Sequence, residues 1–363
     1  MRVKLTEICT PKQWKTIPAN ELLDKGYPVY GANGIIGYYN EYNHENPVVA
    51  ITCRGATCGT INITVPQSYV TGNAMCLDDT RSDILPEYLY YCLLHYDFNN
   101  VISGSAQPQI TRQGLEKVEI KYYPIEAQKK IVAILSKTRA VITAHHQQLQ
   151  KLDELVKARF VEMFGIYPAN PKGWETGTIR DVVSDVRYGS SRPAVDGGKY
   201  PYLRMNNITY GGELDLSDTK RIDIPDNELD KCTVRRGDVL FNRTNSKELV
   251  GKTCVYNRDD MMVLAGFVIR VRVSERILPE FLSEFLNTEC SKQLLLAMCK
   301  NAIGQANINA QEMQNIGLYL PPIELQRKFV QFKEQTDKSK VAVQKALDEA
   351  QLLFDSLMQK YFG

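Results

Sequence analysis

The sequence predicts an α+β protein: two similar mixed α/β domains, each followed by a long helix, with the two helices paired as a coiled coil. Three observations predict this. The chain repeats itself at a fixed offset. The end of each repeat carries apolar residues at steps of four and three. The part before it alternates short apolar runs with Gly, Asn and Asp turns.

The repeat is read first. Gly104–Thr111 (Gly-Ser-Ala-Gln-Pro-Gln-Ile-Thr) answers Ala302–Asn309 (Ala-Ile-Gly-Gln-Ala-Asn-Ile-Asn). Ile110 and Ile308, Leu115 and Met313, Val118 and Ile316, Pro124 and Pro322, Glu126 and Glu324, and Gln128 and Gln326 are all 198 positions apart. Phe164-Gly165 and Phe362-Gly363 keep the same offset at the far end. Upstream the match loosens and the offset shrinks, as unequal loops would make it. Pro86–Leu89 pairs with Pro279–Leu282, Tyr27–Tyr30 with Tyr200–Leu203, and Arg54 with Arg243.

The elements follow in order. Short apolar runs at Pro47–Thr52, Val239–Asn242 and Met262–Val273 read as strands, and Leu85–Tyr96 and Leu278–Met298 read as helices. Pro124 and Pro322 suit a first helical position, where no N–H is required. Glu126 and Glu324 put negative charge on the first turn, while Tyr123 and Pro321 offer no cap. The first seam runs Ile131, Leu135, Thr138, Ile142, His145, Leu149, Leu152, Val156, Arg159, Met163. The second runs Phe329, Lys333, Thr336, Lys340, Val343, Leu347, Ala350, Phe354, Leu357, Tyr361. The residues expected to pair the helices are Ile131, Leu135, Ile142, Leu149, Leu152 and Val156 with Val343, Leu347, Phe354 and Leu357. Each helix would span roughly 60 Å at about 1.5 Å per residue. The Pro- and Gly-bearing stretch Ile166–Gly173 marks the junction. The expected divisions are 1–122 (first domain), 123–165 (first helix), 166–320 (second domain) and 321–363 (second helix). The opening of the first repeat, Met1–Pro18, is shorter than its counterpart at Trp174–Gly189.

Composition narrows the function classes. Apolar residues make up 44% and charged residues 24% of the 363, the mix of a globular protein. No apolar run is long enough to span a membrane, and Met1–Cys9 lacks the pattern of a signal peptide, so a cytoplasmic location is expected. Nine scattered cysteines read as reduced thiols; Cys53 and Cys58 are neighbours, but no partner completes a zinc set. The four histidines, at 44, 95, 145 and 146, show no metal-ligand spacing. Net charge is only +2, which neither identifies nor excludes a polyanion binder. One basic stretch stands out: from Lys231 to Arg258 seven basic residues face Asp238 and Glu248.

Catalytic signatures are not found. There is no Gly-x-x-x-x-Gly-Lys, no Gly-x-Gly-x-x-Gly and no Asn/Asp-Pro-Pro-aromatic segment. Asp78 with Glu119-Ile120-Lys121 can be forced into a nuclease pattern. The repeat argues against it, because Glu119 and Lys121 correspond to Gly317 and Tyr319. No catalytic or metal residue is therefore assigned, and the chain is read as a non-enzyme.

Neutral polar residues carry more information. Gln107 and Gln109 recur as Gln305 and Asn307. Amide side chains match the adenine edge and arginine matches guanine, while Lys and Arg on phosphates hold the register. The recurrence is equally open to a loop-building role, since Asn, Gln and Gly satisfy turns. The candidate DNA contacts are Asn33, Arg54, Gln107, Gln109, Arg112, Arg204, Asn206, Asn207, Arg243, Asn245, Lys247, Gln305 and Asn307.

These features together resemble the specificity subunit of Type I restriction-modification systems. The resemblance rests on Gly104–Thr111 with Pro124–Gln128, on Gly304–Asn309 with Pro321–Gln326, and on Tyr27–Gly34 and Arg54-Gly55. It implies two target-recognition domains separated by two long antiparallel helices forming a coiled coil. Each domain would read one half of a bipartite, asymmetric site on double-stranded DNA, the halves about one helical turn apart. Two modification subunits, carrying S-adenosylmethionine and methylating a flipped adenine, would dock on the helices, and motor-nuclease restriction subunits would complete the complex. This chain itself would hold no cofactor. Two other readings are a coiled-coil scaffold that never touches DNA and a stand-alone metal-dependent endonuclease.

Overall fold

A computed structural model describes residues 1–32, 34–104, 107–299 and 306–363. The chain falls into two compact units, Met1–Gln147 with Val343–Gly363, and Gln148–Ala342.

The first unit contains β1 (Arg2–Lys4), β2 (Thr10–Gln13), β3 (Tyr27–Gly31), β4 (Gly34–Tyr39), β5 (Val49–Thr52), β6 (Ile61–Ile63), β7 (Tyr69–Val70), β8 (Ala74–Asp78), helix Pro86–His95, β9 (Ile102–Ser103), β10 (Gln109–Ile110) and β11 (Glu119–Lys121). An antiparallel sheet runs β2-β8-β5-β6, and a second runs β4-β3-β7 with β3 parallel to β7. β5 is covered on both faces, which is why it reads as an unbroken apolar run rather than an alternation. On one face Ile51 and Met75 share a core with Leu89, Leu93, Ile131, Leu135, Met358 and Phe362. On the other, Ala50 and Cys76 pack with Tyr30 and Val70.

The second unit repeats the plan with β12 (Glu175–Thr178), β13 (Val183–Tyr188), β14 (Tyr200–Leu203), β15 (Lys220–Ile222), β16 (Thr233–Val234), β17 (Val239–Asn242), β18 (Thr244–Asn245), β19 (Thr253–Val255), β20 (Met262–Leu264), β21 (Val268–Val273), helices Pro279–Asn287 and Glu289–Met298, β22 (Ala306–Asn307) and β23 (Gly317–Leu320). Its main sheet runs β13-β21-β17-β19, and its second runs β15-β14-β20-β16 with β14 parallel to β20. The pair β12–β23 answers β1–β11. The short opening of the first repeat thus carries the same order of elements as the second: strand, one helical turn, strand.

Two sequence-based elements divide. Met262–Val273 is two strands around a turn at Ala265–Phe267. Leu278–Met298 is two helices, because Thr288 leaves the helical conformation and its hydroxyl accepts from Ser291 N to cap the second.

The long helices are Ile125–Phe164 and Ile323–Phe362, 40 residues each. Pro124 and Pro322 are the boundary residues just before them; their carbonyls accept from Ala127 and Leu325 N. In the first unit the start of one helix lies beside the end of the other, since Ile131 and Leu135 share a core with Phe354, Leu357, Met358 and Phe362. In the second unit Phe160 and Phe164 pack on Phe329, ring centres 5.2 and 5.7 Å apart, and Lys340 meets Asp153 at 2.5 Å. The pairing is antiparallel in each. Ile131, Leu135, Val156, Val343 and Leu347 are buried, and Ile142, Leu149, Leu152, Phe354 and Leu357 are half-buried. Late in each helix the most buried position moves one residue on: Phe160 and Phe164 lie deeper than Arg159 and Met163, and Met358 and Phe362 deeper than Leu357 and Tyr361, while Met163, Leu357 and Tyr361 still pack against the cores. A helix of 3.6 residues per turn drifts about 20° per heptad, which over nearly four heptads shifts the buried position by about one residue.

Gln128 and Gln326, both fully buried, hold each helix start to the body of its unit. Gln128 Nε2 donates to the Tyr123 and Asp83 carbonyls (2.8 Å each), and its Oε1 accepts from Leu85 N at 2.9 Å. Gln326 donates to the Pro321 (2.8 Å) and Arg276 (3.3 Å) carbonyls and accepts from Leu278 N (2.8 Å).

Candidate nucleic-acid interface

Strand register fixes which residues of the two repeats correspond. Ile110 N donates to Cys53 O at 3.0 Å, and Ile308 N donates to Arg243 O at 2.9 Å. Cys53 therefore corresponds to Arg243, and Arg54 to Thr244. The sequence match of Arg54 with Arg243 is out by one residue, and in a strand one residue turns the side chain to the opposite face. The partner positions agree with this: Arg54 bridges to Gln109, and Thr244 pairs with Asn307. The match of Gln109 with Asn307 holds. On the neighbouring strand Gln13 opposes Met75 and Tyr188 opposes Ile269, so Gln13 corresponds to Tyr188 and Lys12 to Arg187.

In the first unit these positions line one open cleft of about 280 Å³, formed by Pro11, Lys12, Gln13, Arg54, Met75, Gln109, Ile110, Thr111 and Arg112. It brings together three of the sequence candidates, Arg54, Gln109 and Arg112, all exposed. It adds two that sequence reasoning missed, Lys12 and Gln13; the fuller opening at Trp174–Gly189 was the available signal, because it predicts a strand at the same place. Gln13 Nε2 donates to Gly72 O at 2.9 Å, which steadies its amide at the cleft wall. Lys12 Nζ lies 3.7 Å from the centre of the Trp14 ring. Thr111 Oγ1 accepts from Gly114 N at 3.1 Å and caps the short helix that carries Arg112. Gln107 is exposed at the loop before β10. That loop depends on Gly104, whose φ is +86° and where a Cβ would lie 2.6 Å from the Gln107 carbonyl oxygen. A cleft with a guanidinium fork, two amides and the flanking Arg112 cation has the donor and acceptor set that base edges and phosphates require.

The second unit presents different side chains on the same strands. Arg243, half-buried, stacks 4.7 Å over the exposed ring of Tyr188 and donates to Gly266 O. Asn307 is exposed, and its Oδ1 accepts from Thr244 Oγ1 at 3.2 Å, leaving the amide donors outward. Asn245 is half-buried beside it and Lys247 is exposed. Asn309 caps the following helix as Thr111 does in the first unit. Asn33 and Gln305 lie outside the described residues.

Other candidates are occupied within the fold. Asn207 is buried: its Oδ1 accepts from Arg204 N and its Nδ2 donates to Asp215 O, so its amide is spent on holding a turn. Arg204 pairs with Asp218 at 2.8 Å. Asn206 is exposed on the same turn. Part of the basic stretch from Lys231 to Arg258 is occupied within the fold. Arg236 pairs with Asp259, Arg258 with Asp260, and Lys252 is buried with its ammonium on Met205 O. Asp78 of the nuclease pattern is held by His44 and Trp14. All nine cysteines are free thiols. Among the described residues no helix is long and apolar enough to cross a membrane.

One frame built twice, with its own set of polar side chains on each copy, defines a duplicated recognition protein. The chain belongs to the Type I restriction modification DNA specificity domain family, whose model matches residues 1–154 and 171–350. The specificity subunit of the Type I restriction enzyme EcoKI, from Escherichia coli strain K12, is 21% identical over 301 residues, 77% of this chain and 65% of that protein. The EcoBI specificity subunit of Escherichia coli is 24% identical over 376 residues, 94% of this chain and 75% of that one. The EcoprrI specificity subunit reaches 30% identity over 141 residues, 38% of this chain and 35% of that protein. This chain thus spans less than two thirds of several curated relatives. In fold it is similar to the S subunit of a Type I restriction-modification system from M. genitalium, with a TM-score of 0.62, 14% identity, and coverage of 100% of this chain and 96% of that one. It is also similar to a chain from a type I R-M system studied for complex assembly and conformational transition, with a TM-score of 0.58, 18% identity, and coverage of 99% and 97%.

Proposed function

We propose that this chain reads a bipartite, asymmetric DNA target and directs adenine methylation and restriction by partner subunits, without catalysing either. The observation that carries this reading is the correspondence of the strands that line the first-unit cleft with the same strands of the second unit. Identical strand frames hold Gln13, Arg54 and Gln109 in one unit and Tyr188, Thr244 and Asn307 in the other. Two copies of one reader with different side chains recognise two different half-sites, which is what an asymmetric bipartite target requires.

Partner docking is supported by apolar side chains left exposed on the long helices. Leu352 (70% exposed), Leu353, Ile134 and Val141 belong to the first unit, and Val341 (71%), Leu155 and Val161 to the second. Such surface suits protein partners, here two modification subunits that bind S-adenosylmethionine, with restriction subunits joining them.

Methylome sequencing tests the reading. Cells expressing the modification subunit with this chain should show one bipartite methylated motif. Arg54→Ala with Gln109→Ala should relax or change one half of it and leave the other intact. Equal weakening of both halves would overturn the assignment of one half-site to each unit.

A further inference from the structure

The first unit holds a second polar cluster, on the opposite face of β8 from the cleft. His44 Nε2, Cys76 Sγ and an Asp78 carboxylate oxygen all lie within 4.8 Å of one another. Cys76 is fully buried, and the His44 and Asp78 side chains are only 11% and 12% exposed.

The state of the imidazole follows from its neighbour. Asn43 Nδ2 donates to Val70 O at 3.0 Å and Asn43 Oδ1 accepts from Val70 N at 2.9 Å, so the backbone fixes which amide atom is oxygen. That oxygen lies 2.6 Å from His44 Nδ1, which must then carry the hydrogen. In a neutral ring Nε2 is left with a lone pair, 2.9 Å from Asp78 Oδ1. Two lone pairs do not face each other at that distance unless a positive charge sits between them. Either a second proton or a metal cation supplies it, and the buried sulfur of Cys76 turns the same gap into a three-donor set.

The surroundings have the form that metal ligands need. The ligating histidine donates its other N–H to a fixed oxygen, and Trp14 Nε1 donates to Asp78 Oδ2 at 3.1 Å, orienting the carboxylate. We propose that His44 Nε2, Cys76 Sγ and Asp78 form a site for a borderline-soft divalent cation of the zinc class, with the fourth tetrahedral position taken by water. Binding forms bonds from the metal to nitrogen, oxygen and sulfur, and releases to solvent both the Cys76 thiol proton and the proton that otherwise lies between His44 Nε2 and Asp78, so a dication enters and two protons leave. The corresponding β21 positions of the second unit are Arg270, for Cys76, and Arg272, for Asp78, which pair with Asp185 and Asp238. The site is therefore confined to the first unit, where it would tie the Asn43-His44 loop to the strand next to Lys12 and Gln13.

Cobalt titration of the chelator-treated full chain, in complex with its modification subunits, tests this. One equivalent of Co2+ per chain should produce the near-ultraviolet thiolate-to-cobalt charge-transfer absorption and visible bands of tetrahedral intensity. The charge-transfer absorption should vanish in Cys76→Ser, weaken at least tenfold in affinity in His44→Gln, and persist in Cys92→Ser, a buried thiol elsewhere in the unit. Circular dichroism establishes that each variant is folded, and if Cys76→Ser is not, His44→Gln decides. No absorption at stoichiometric cobalt in the wild type, or absorption unchanged in a folded Cys76→Ser or in His44→Gln, would overturn the site and leave an imidazolium–carboxylate pair in its place.

Discussion

The cleft wall and the helix root of each unit behave oppositely when the two repeats are superimposed by register. At the root, Gln128 and Gln326 are the same residue, equally buried and bonded to the same three kinds of backbone group. At the cleft, Gln13, Arg54 and Gln109 correspond to Tyr188, Thr244 and Asn307. Backbone groups are the same in every sequence, so a residue that serves them is free to stay the same. A surface that reads a ligand must differ where the ligand differs. The difference separates the residues that make the frame from those that use it.

The comparison breaks first at the root. Gln128→Leu leaves the Leu85 N–H and the Tyr123 and Asp83 carbonyls without their partner, and should destabilise the first unit by about 3 kcal/mol, a few unmet buried groups at about 1–3 kcal/mol each. Gln326→Leu should cost the second unit a similar amount. Urea unfolding of each variant checks this; a large effect in one and none in the other would show that the two roots are not equivalent. At the cleft, Arg54→Ala should leave stability unchanged and weaken binding to cognate DNA by about 10- to 100-fold, the value of a lost bidentate base contact. Competition binding by the subunit complex, with each half-site varied in turn, measures it.

A pH titration sharpens the contrast from the second unit. Burial, and then the nearby Lys252 charge, push the Lys292 ammonium down to about 8 from 10.5. A lowered lysine is a folded state that resists its charge, so the penalty is fully present below pH 8. It fades as pH rises from 8 to 10.5, where the unfolded chain binds the extra proton. Lys292→Met should be more stable than the wild type at pH 7, with the advantage closing across that window. Thermal midpoints of both proteins at pH 7, 9 and 10.5 give the difference directly; an advantage independent of pH would assign the effect to packing.

The frame was legible in the sequence because it is built from periodicity and repetition. β17 ends where its apolar run ends, and the offset at Ile110 and Ile308 survives into identical backbone bonds. The seam was legible early in each helix and one residue short of the deepest position late, since a heptad count ignores the drift of a straight helix. The cleft was half legible. Gln109 and Arg112 sit in the recurring loop, but Lys12 and Gln13 come from a strand about 40 residues or more away from Arg54, and only pairing with β8 brings them together. Pairing within the basic stretch was hidden for the same reason: Asp259 and Asp260, just beyond it in sequence, meet Arg236 and Arg258. The role of Gln128 was invisible, because its partners are backbone atoms.

The finest test of the comparison is Arg112, at the rim of the first cleft, where the second unit has Ala310 at the corresponding offset. An exposed arginine on a capped helical turn suits a phosphate, which holds register without reading sequence. Arg112→Ala should therefore lower affinity for all DNA sequences alike and reduce the slope of log affinity against log salt by about 1. Arg54→Ala should instead change the preferred base while moving that slope less. If Arg112→Ala alters the methylated motif, the rim reads bases as well, and the line between frame and reader runs further out than the strands suggest.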